Sequence, residues 1–196
     1  FATACNQAVE AFRTLSPFSE YFSYFNFHRV TSSASEAPDV DEVITIIAGS
    51  GRSYATIGGS AWVYESQASF ATVHEAGHSF SSRLQDEYQE SAAAYTGGDP
   101  WYSNVSTDTD LNLKWAEWID AGTPIPTPSS HVFPAGSTNV GLFEGAMLYS
   151  TGIYRPGKRC QMLEAGTVPF DAVCRQAVVR GLYTYADISA VDSASP

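Results

Sequence analysis

The stretch "TVHEAGHSFSSRLQDEYQE", residues 72–90, carries two histidines four positions apart, with a glutamate directly after the first. On an α-helix, side chains four positions apart lie one turn above each other, so His74 and His78 can direct both imidazoles at one cation. Glu75 then lies beside that cation. This H-E-x-x-H spacing is typical of zinc hydrolases, in which the carboxylate faces the water that the metal activates. The stretch therefore predicts an active-site helix with one catalytic Zn²⁺ ion.

A catalytic zinc ion has three protein ligands and one open position, so a third ligand must be found. Asp86 and Glu87 follow the second histidine within a dozen residues. Because a helix ending near residues 81–82 lets the chain turn back towards the metal, we predict Asp86 as the third ligand. Glu87 and the distant Glu144 in "LFEGAMLY" remain alternatives. Another interpretation makes "DEY" a solvated helix end, or an acid that orients a ligand histidine.

The composition argues against two kinds of partner. The formal net charge is −11, which leaves no basic stripe for a phosphate backbone, so we expect no nucleic acid partner. No window approaches the roughly 20 apolar residues that cross a bilayer, so we expect no membrane partner. The start, "FATACNQAVEAF", lacks a signal-peptide pattern, which fits a mature chain whose export signal has been removed. A length of 196 residues with 44% apolar content predicts one domain, residues 1–196, and we expect a monomer.

The three cysteines, Cys5, Cys160 and Cys174, contain no C-x-x-C pair, so a thiolate zinc knuckle is not expected. Cys160 and Cys174 are close enough in sequence to form a disulfide that closes one loop. Low lysine content with abundant Ser, Thr, Tyr and Gly is typical of an exported protein, where such a bridge persists. The alternative is three buried free thiols. Asn104 in "NVS" is a glycosylation acceptor in a host that exports and glycosylates the chain.

Apolar spacing predicts the elements before the motif. Residues 6–18 have the spacing of a helical face that ends at the Ser-Pro pair 16–17. Residues 20–30, "EYFSYFNFHRV", have aromatic side chains on both alternating sides, which predicts a strand covered on both faces. His28 in that stretch is interpreted as a packed or surface residue rather than a ligand. The β-branched run at 40–49 predicts an inner strand.

The remaining stretches predict loops, an edge strand and two helices. The glycine-rich residues 49–64 lack the lysine and hydroxyl of a nucleotide loop, and they predict a loop leading to an edge strand at "SAWVY". A short Trp-rich helix is predicted over residues 113–119. Residues 121–130, "AGTPIPTPSS", must be irregular because their three prolines lack backbone donors. Residues 170–186 have the apolar repeat of a closing helix.

The blocks "HEAGHSFSSRLQDEY", "WIDAGTPIPTP", "VGLFEGAMLYSTGIYRP" and "CQM" together resemble the IgA-peptidase family of secreted zinc metallopeptidases, over residues 18–185. The resemblance implies an α/β (α+β) fold: a metzincin-like zincin with a twisted mixed sheet, an active-site helix carrying H-E-x-x-H, and a C-terminal helix. It also implies a methionine turn below the metal, matched by Met162, with Met147 as a competing candidate. An extended substrate would pair with the edge strand at "GGSAWVY".

Two departures from the usual metzincin pattern affect the site. The consensus has a glycine three residues after the second histidine and a ligand three residues further on, but Ser81 and Leu84 occupy those positions. Leucine cannot bind zinc, so the third ligand is displaced. The connection at residues 31–40 is shorter than the insertion usual in that family, so either the loop is trimmed or residues are missing from it.

The predicted function is that of a secreted, extracellular zinc endopeptidase that acts on a protein or peptide substrate. Glu75 serves as general base and then as general acid. Tyr149 and Tyr154 are candidate donors to the oxyanion, or core aromatic residues. The alternatives are a catalytically silent zinc-fold binding or adhesion module and a zinc amidohydrolase acting on non-protein amides. An intact Glu75 argues against the silent module, since binding alone needs no base. The acidic composition also permits a calcium site.

Overall fold

The computed structural model describes residues 1–31, 40–81, 83–110 and 113–185. Its helices are α1 (Ala2–Thr14), α2 (Ala71–Ser81) and α3 (Ala172–Tyr185). Its strands are β1 (Ile44–Ile47), β2 (Tyr54–Ala55), β3 (Ala61–Tyr64), β4 (Phe143–Ala146) and β5 (Tyr149–Arg155). Short 3₁₀ turns lie at Phe22–Tyr24, Glu65–Gln67 and Ala116–Trp118. The predicted mixed class of helices and strands is confirmed.

The chain falls into two compact units, one drawn from Phe1–Ser82 and Gln176–Pro196 and the other from Arg83–Arg175. The first contains α1, α2 and a three-stranded sheet, and the second contains the β4–β5 hairpin. Residues of α3 belong to both. Within the described ranges, none of the helices has the length and apolar character needed to cross a bilayer. The prediction of one domain over residues 1–196 stays a prediction.

The three-stranded sheet has β3 at its centre. β1 pairs with β3 in parallel, and β2 pairs with β3 in antiparallel fashion. The prediction of an edge strand at "SAWVY" is therefore wrong, and β1, predicted as an inner strand, lies at an edge of the described sheet. The reason is that the chain turns at Gly58, with φ of 69°, and folds β2 back against β3. Both sides of β3 are paired, so the expected pairing of substrate with this strand is lost as well.

Residues 20–30 do not form the predicted strand. They contain the 3₁₀ turn Phe22–Tyr24 and are otherwise irregular. Phe25 and Phe27 stack at 5.8 Å between ring centroids, and they lie 5.5 and 5.4 Å from the ring of Phe12 on α1. Because these rings converge on one helix, they do not alternate between two faces of a sheet. Aromatic packing therefore decides the local conformation here.

Helix α2 is buried along its whole length, Ala71–Ser81. Near its C-terminal end, the ring of Phe80 lies 5.8 Å from that of Phe18 in an edge-to-face contact. Gly181 of α3 approaches the same end so closely that a Cβ atom there would lie 2.8 Å from Cα of Ser81 and would also clash with the carbonyl oxygen of Phe80. A glycine is thus required for α3 to pack against α2.

We expect Gly181→Ala to lower the free energy of unfolding by about 1–3 kcal/mol, because the added methyl group meets backbone atoms that cannot move aside alone. This expected net loss already includes the opposing gain in helix propensity, about 1 kcal/mol. Urea unfolding measures the difference. Gly98→Ala is a matched control, since its Cβ would meet nothing within 4 Å. A Gly181→Ala variant more stable than wild type would contradict the close approach.

Glu42, two residues before β1, has a raised pKa. Burial raises the pKa of Glu42 from 4.5 to about 7, while a hydrogen bond from Ser79 of α2 acts in the opposite direction. Ser79 is fully buried. The folded protein therefore holds the Glu42 proton more tightly than the unfolded chain does, and its stability falls as pH rises through the interval between these two values.

We expect the melting temperature of the wild type to fall between about pH 5 and pH 8, and to fall less in Glu42→Gln, which stays neutral throughout. Thermal melts across this pH range measure both slopes. Glu10→Gln, on the exposed face of α1, is the control and should keep the wild-type slope. Equal slopes for wild type and Glu42→Gln would contradict the burial of a neutral carboxyl.

The second unit is built around the hairpin of β4 and β5. Met147 and Leu148 form its two-residue turn, with φ of 51° and 70°. Positive φ at both positions is the pattern of a type I′ turn, whose twist matches that of the flanking strands. These side chains are neither glycine nor asparagine, so the turn carries backbone strain that the surrounding contacts must offset.

Around the hairpin the chain is largely irregular, and buried side chains hold it. One core cluster consists of Leu113, Trp115, Val140, Leu142 and Val173. The indole of Trp115 donates to the carbonyl of Gly141 at 2.8 Å. The helix predicted over 113–119 is only the 3₁₀ turn Ala116–Trp118. The predicted irregular stretch at 121–130 and the closing helix, Ala172–Tyr185, are confirmed.

Candidate metal centre

Helix α2 places the three residues of the motif on one buried element. His74, Glu75 and His78 expose only 6%, 5% and 5% of their surface. The two imidazole rings lie 5.1 Å apart between centroids, with their planes at 78°. The spacing predicted from the sequence therefore brings the two rings together in the structure, with the glutamate between them along the chain.

The ring spacing fits a shared zinc ion. With Zn–N bonds of about 2.0–2.1 Å, the centre of each imidazole lies about 3.2 Å from the ion, and tetrahedral ligands hold two such centres about 5.2 Å apart. The observed separation of His74 and His78 is 5.1 Å. Neutral imidazole is also a preferred nitrogen ligand of this metal. The separation of the two rings is therefore compatible with one shared tetrahedral metal ion.

Both ends of α2 are tied to neighbouring backbone. Near its start, the hydroxyl of Thr72 donates to the carbonyl of Ala68 at 2.7 Å. Near its end, the backbone N–H of Gly58 donates to the carbonyl of His78 at 3.2 Å. A helix leaves its last carbonyls without intrahelical partners, so this contact satisfies one of them. The glycine-rich loop therefore supports the second histidine of the motif.

Asp86, the predicted third ligand, lies on an extended segment of the second unit. Its carboxylate Oδ2 accepts a hydrogen bond from the hydroxyl of Tyr88 at 3.0 Å. The backbone carbonyl of Asp86 accepts a hydrogen bond from the N–H of Met147 at 2.9 Å. The backbone carbonyl of Tyr88 accepts one from the N–H of Leu148 at 3.0 Å. The strained hairpin turn thus holds the backbone of this segment. The side chain is half-buried, and its role as a ligand stays a prediction.

The two alternative ligands have other contacts. Glu87 is fully buried, and its Oε1 accepts from Asn104 Nδ2 at 2.9 Å and from Cys174 Sγ at 3.1 Å. Glu144 is exposed, and its Oε1 accepts from the N–H of Gly152 at 3.1 Å. Each of these carboxylates therefore serves a structural contact within its own unit.

Asn104 is not available as a glycosylation acceptor in this structure. The residue is fully buried, and its amide Nδ2 donates to the carbonyl of Gln85 at 2.8 Å as well as to Glu87. Its Oδ1 accepts from the N–H of Gln85 at 2.9 Å. A glycan on that nitrogen would break these bonds and would need space that the core does not offer. The glycosylation prediction from "NVS" is wrong.

The two methionines lie in different settings. Met162 is fully buried, and its carbonyl accepts from the N–H of Glu87 at 2.8 Å. Met147 is half-buried in the hairpin turn. Both adjoin the extended segment that carries Asp86, since Met147 also donates to it. Met162 as the floor of the metal site stays a prediction.

The candidate tyrosines flank the same hairpin. The ring of Tyr149 meets that of Tyr95 edge-to-face at 5.3 Å, which is a packing contact. Burial, followed by the nearby charge of Glu144, raises the pKa of Tyr154. A raised pKa keeps the phenol protonated and able to donate. His28, by contrast, is exposed, as expected of a surface residue.

The three cysteines are free thiols. Cys160 and Cys174 are buried, and Cys5 is half-buried. The predicted disulfide between Cys160 and Cys174 is therefore not supported. The two thiols lie in one cluster with the carboxylates of Glu87 and Asp171. Sequence reasoning did not find this cluster, because its members are far apart in the chain and no short motif marks them.

Comparison with known proteins adds the family. The profile of the IgA Peptidase M64 family matches residues 47–135 and 132–182. These segments include the H-E-x-x-H helix, the β4–β5 hairpin and Met162. A search of curated proteins found no matching relative. Since the matched segments cover well over half of the chain, the protein belongs to the IgA Peptidase M64 family, a membership that implies a metal-dependent peptidase.

Proposed function

We propose that the protein is a zinc endopeptidase with a metzincin-like catalytic centre. One observation carries the proposal: His74 and His78 lie 5.1 Å apart between ring centroids, on a buried helix that also carries Glu75. Family membership supports peptidase chemistry, and this geometry supports a metal ion shared by the two rings. The choice of zinc follows from the two imidazole donors and their tetrahedral spacing.

Asp86 is proposed as the third ligand. The position that the usual metzincin pattern assigns to a ligand is Leu84, which is fully buried and has no donor atom. Asp86 follows two residues later, on the extended segment after α2, and its carboxylate accepts from the hydroxyl of Tyr88 at 3.0 Å. Outer hydrogen bonds of this kind orient ligating carboxylates. Glu87 is less suitable because its carboxylate is held by Asn104 and Cys174.

A zinc ion held by these residues would polarise the peptide carbonyl and lower the pKa of water to about 7. Glu75 then performs the proton transfers. Its carboxylate takes a proton from the attacking water as the new C–O bond forms, and it gives that proton to the nitrogen of the departing amine as the C–N bond breaks. The proton taken in the first step is returned in the second, so one carboxylate suffices.

The low exposure of Glu75 matters for this role. At 5% exposure, its carboxylate is largely screened from bulk water, so the proton that it holds is retained between the two steps. Tyr154 is proposed as a donor to the oxyanion, because its raised pKa keeps the phenol protonated. A protonated phenol can donate a hydrogen bond to the charge that develops on the carbonyl oxygen.

The proposed substrate is an unfolded or extended protein chain, and the proposed location is extracellular. The location rests on composition and on the family resemblance. The net charge of −11 favours substrates without a strong negative charge. We also propose a monomeric state, which rests on the sequence alone.

Digestion of an unfolded protein, with fragments identified by mass spectrometry, tests the proposal. We expect internal cleavage that a chelator abolishes and added Zn²⁺ restores. Trimming from one terminus alone would indicate an exopeptidase. Capture of the substrate without cleavage would indicate a binding module, and hydrolysis of small amides alone would indicate an amidohydrolase. Cleavage unaffected by a chelator that removes all metal would contradict the proposal.

A further inference from the structure

A second group of potential ligands lies inside the unit formed by residues 83–175. It consists of Glu87, Cys160, Asp171 and Cys174, each of which offers one ligand atom, and these atoms all lie within 4.8 Å of one another. Glu87, Cys160 and Cys174 are fully buried, and Asp171 is partly buried. None of the four belongs to the H-E-x-x-H motif.

Two oxygens of this cluster are buried without a hydrogen-bond partner among the described residues. They are Oε2 of Glu87 and Oδ2 of Asp171. A buried carboxylate oxygen without a partner costs free energy, so native proteins rarely keep one unless an ion or a buried water satisfies it. Both orphaned oxygens belong to carboxylates of this one cluster. A bound ion or a buried water would supply the missing partner.

The backbone fixes the positions of these side chains. Asp171 precedes α3, and its Oδ1 accepts from the N–H of Cys174 at 2.9 Å, as an N-cap residue does. Its other oxygen faces Gly157, where a Cβ atom would lie only 2.8 Å away. The N–H of Met162 donates to Cys160 Sγ at 3.4 Å. Metal-bound thiolates accept backbone hydrogen bonds of this kind.

We propose that Glu87, Cys160, Asp171 and Cys174 form a closed structural site for a thiophilic divalent cation, Zn²⁺. Two sulfurs select zinc over calcium or magnesium, which prefer oxygen alone. Tetrahedral zinc holds two thiolate sulfurs about 3.8 Å apart and two carboxylate oxygens about 3.4 Å apart. With all ligand atoms within 4.8 Å, the cluster needs to contract by no more than about 1.4 Å to reach that geometry.

Charge favours a cation here. Four ionised ligands would carry four negative charges in the interior, and among the described residues Arg155 is a positive group that acts on Glu87 and Cys160. Its Nε is also buried without a partner among the described residues. Metal binding to the two thiols releases their protons to solvent.

The first test uses the purified wild-type chain loaded with Co²⁺ as a probe. Thiolate ligands give a sulfur-to-cobalt charge-transfer band in the near ultraviolet, which histidine and carboxylate ligands cannot give. We expect this band, and we expect Zn²⁺ to displace it. The absence of the band after loading would overturn the proposal. A chain lighter by two hydrogens, with Cys160 and Cys174 resistant to alkylation until reduced, would show a disulfide instead and would also overturn it.

Variants locate the site. Cys160→Ser should remove the band and lower the zinc content by one ion per chain, whereas Cys5→Ser, the cysteine outside the cluster, should change neither. His74→Ala should keep the band. A folded Cys160→Ser variant with unchanged zinc content would contradict the proposal. If that variant does not fold, the presence or absence of the charge-transfer band in the Co²⁺-loaded wild type tests the proposal. These readouts do not depend on peptidase activity, so the proposed function can fail while this site stands.

Discussion

Replacing Glu75 by glutamine should reduce kcat by about 1,000-fold, because general acid–base catalysis typically contributes about 100- to 10,000-fold. Glutamine keeps the size and polarity of the side chain but cannot accept the proton of the attacking water. Its neighbours His74 and His78 are unchanged, so the metal content should stay at the wild-type level. Steady-state hydrolysis of an unfolded protein or of a quenched fluorescent peptide measures the effect.

The matched control for this substitution is Glu117→Gln, at an exposed glutamate in the second unit. It should keep wild-type kcat and metal content. The control is needed because a loss of activity in both variants would come from expression or purification and not from the removed carboxylate. A Glu75→Gln variant with full activity would remove Glu75 from its proposed role. If Glu75→Gln loses its metal, Glu75 instead has a structural role in holding the metal site.

The second large effect is expected for Asp86→Ala. Even residues that only support metal ligands change affinity by about 10- to 100-fold when removed, so loss of a ligand should exceed about 100-fold. Zinc should dissociate in competition with a chromogenic chelator at much lower chelator concentration than for wild type. Activity measured without added Zn²⁺ should fall in parallel, and excess Zn²⁺ should restore part of it.

Two further variants test whether Asp86 or Glu144 is the third zinc ligand. Tyr88→Phe removes the hydroxyl that donates to Asp86 Oδ2 at 3.0 Å, and it should weaken zinc binding by about 10-fold. Glu144→Gln removes the charge of the distant candidate and should leave zinc affinity unchanged. Loss of zinc in Glu144→Gln with retention in Asp86→Ala would reverse the assignment of the third ligand.

The sequence predicted best those features that depend on local spacing. The imidazoles of His74 and His78 meet because a helix repeats every 3.6 residues, which the motif already contains. The closing helix at Ala172–Tyr185 followed from the same periodicity. Both features need no knowledge of distant residues, so a single sequence suffices to predict them.

Features that depend on non-local pairing were not predictable in this way. The sequence predicts β3 at an edge, but the turn at Gly58 brings β2 onto its second side. The apolar pattern of a single strand does not determine which strands pair with it. The aromatic run at 20–30 matches a covered strand equally well until Phe12 of α1 is placed beside it. Alternation alone cannot choose between these outcomes.

The cluster of Glu87, Cys160, Asp171 and Cys174 is a third feature that the sequence alone does not predict. The spacing of the cysteines argued against a thiolate metal site, because known zinc motifs keep their thiols in close pairs. Here the fold supplies the proximity, by placing the N-cap of α3 next to the segment that follows Asp86. A search for buried oxygens without partners finds the cluster, whereas a search for motifs does not.

A crystal of the purified protein, with data collected on both sides of the zinc absorption edge, tests the central claim most directly. We predict an anomalous peak about 2.0–2.1 Å from one nitrogen of His74 and one of His78, with the carboxylate of Glu75 beside it but not bound to it. Imidazole rings that point away from each other, in crystals of fully active protein without such a peak, would contradict this prediction.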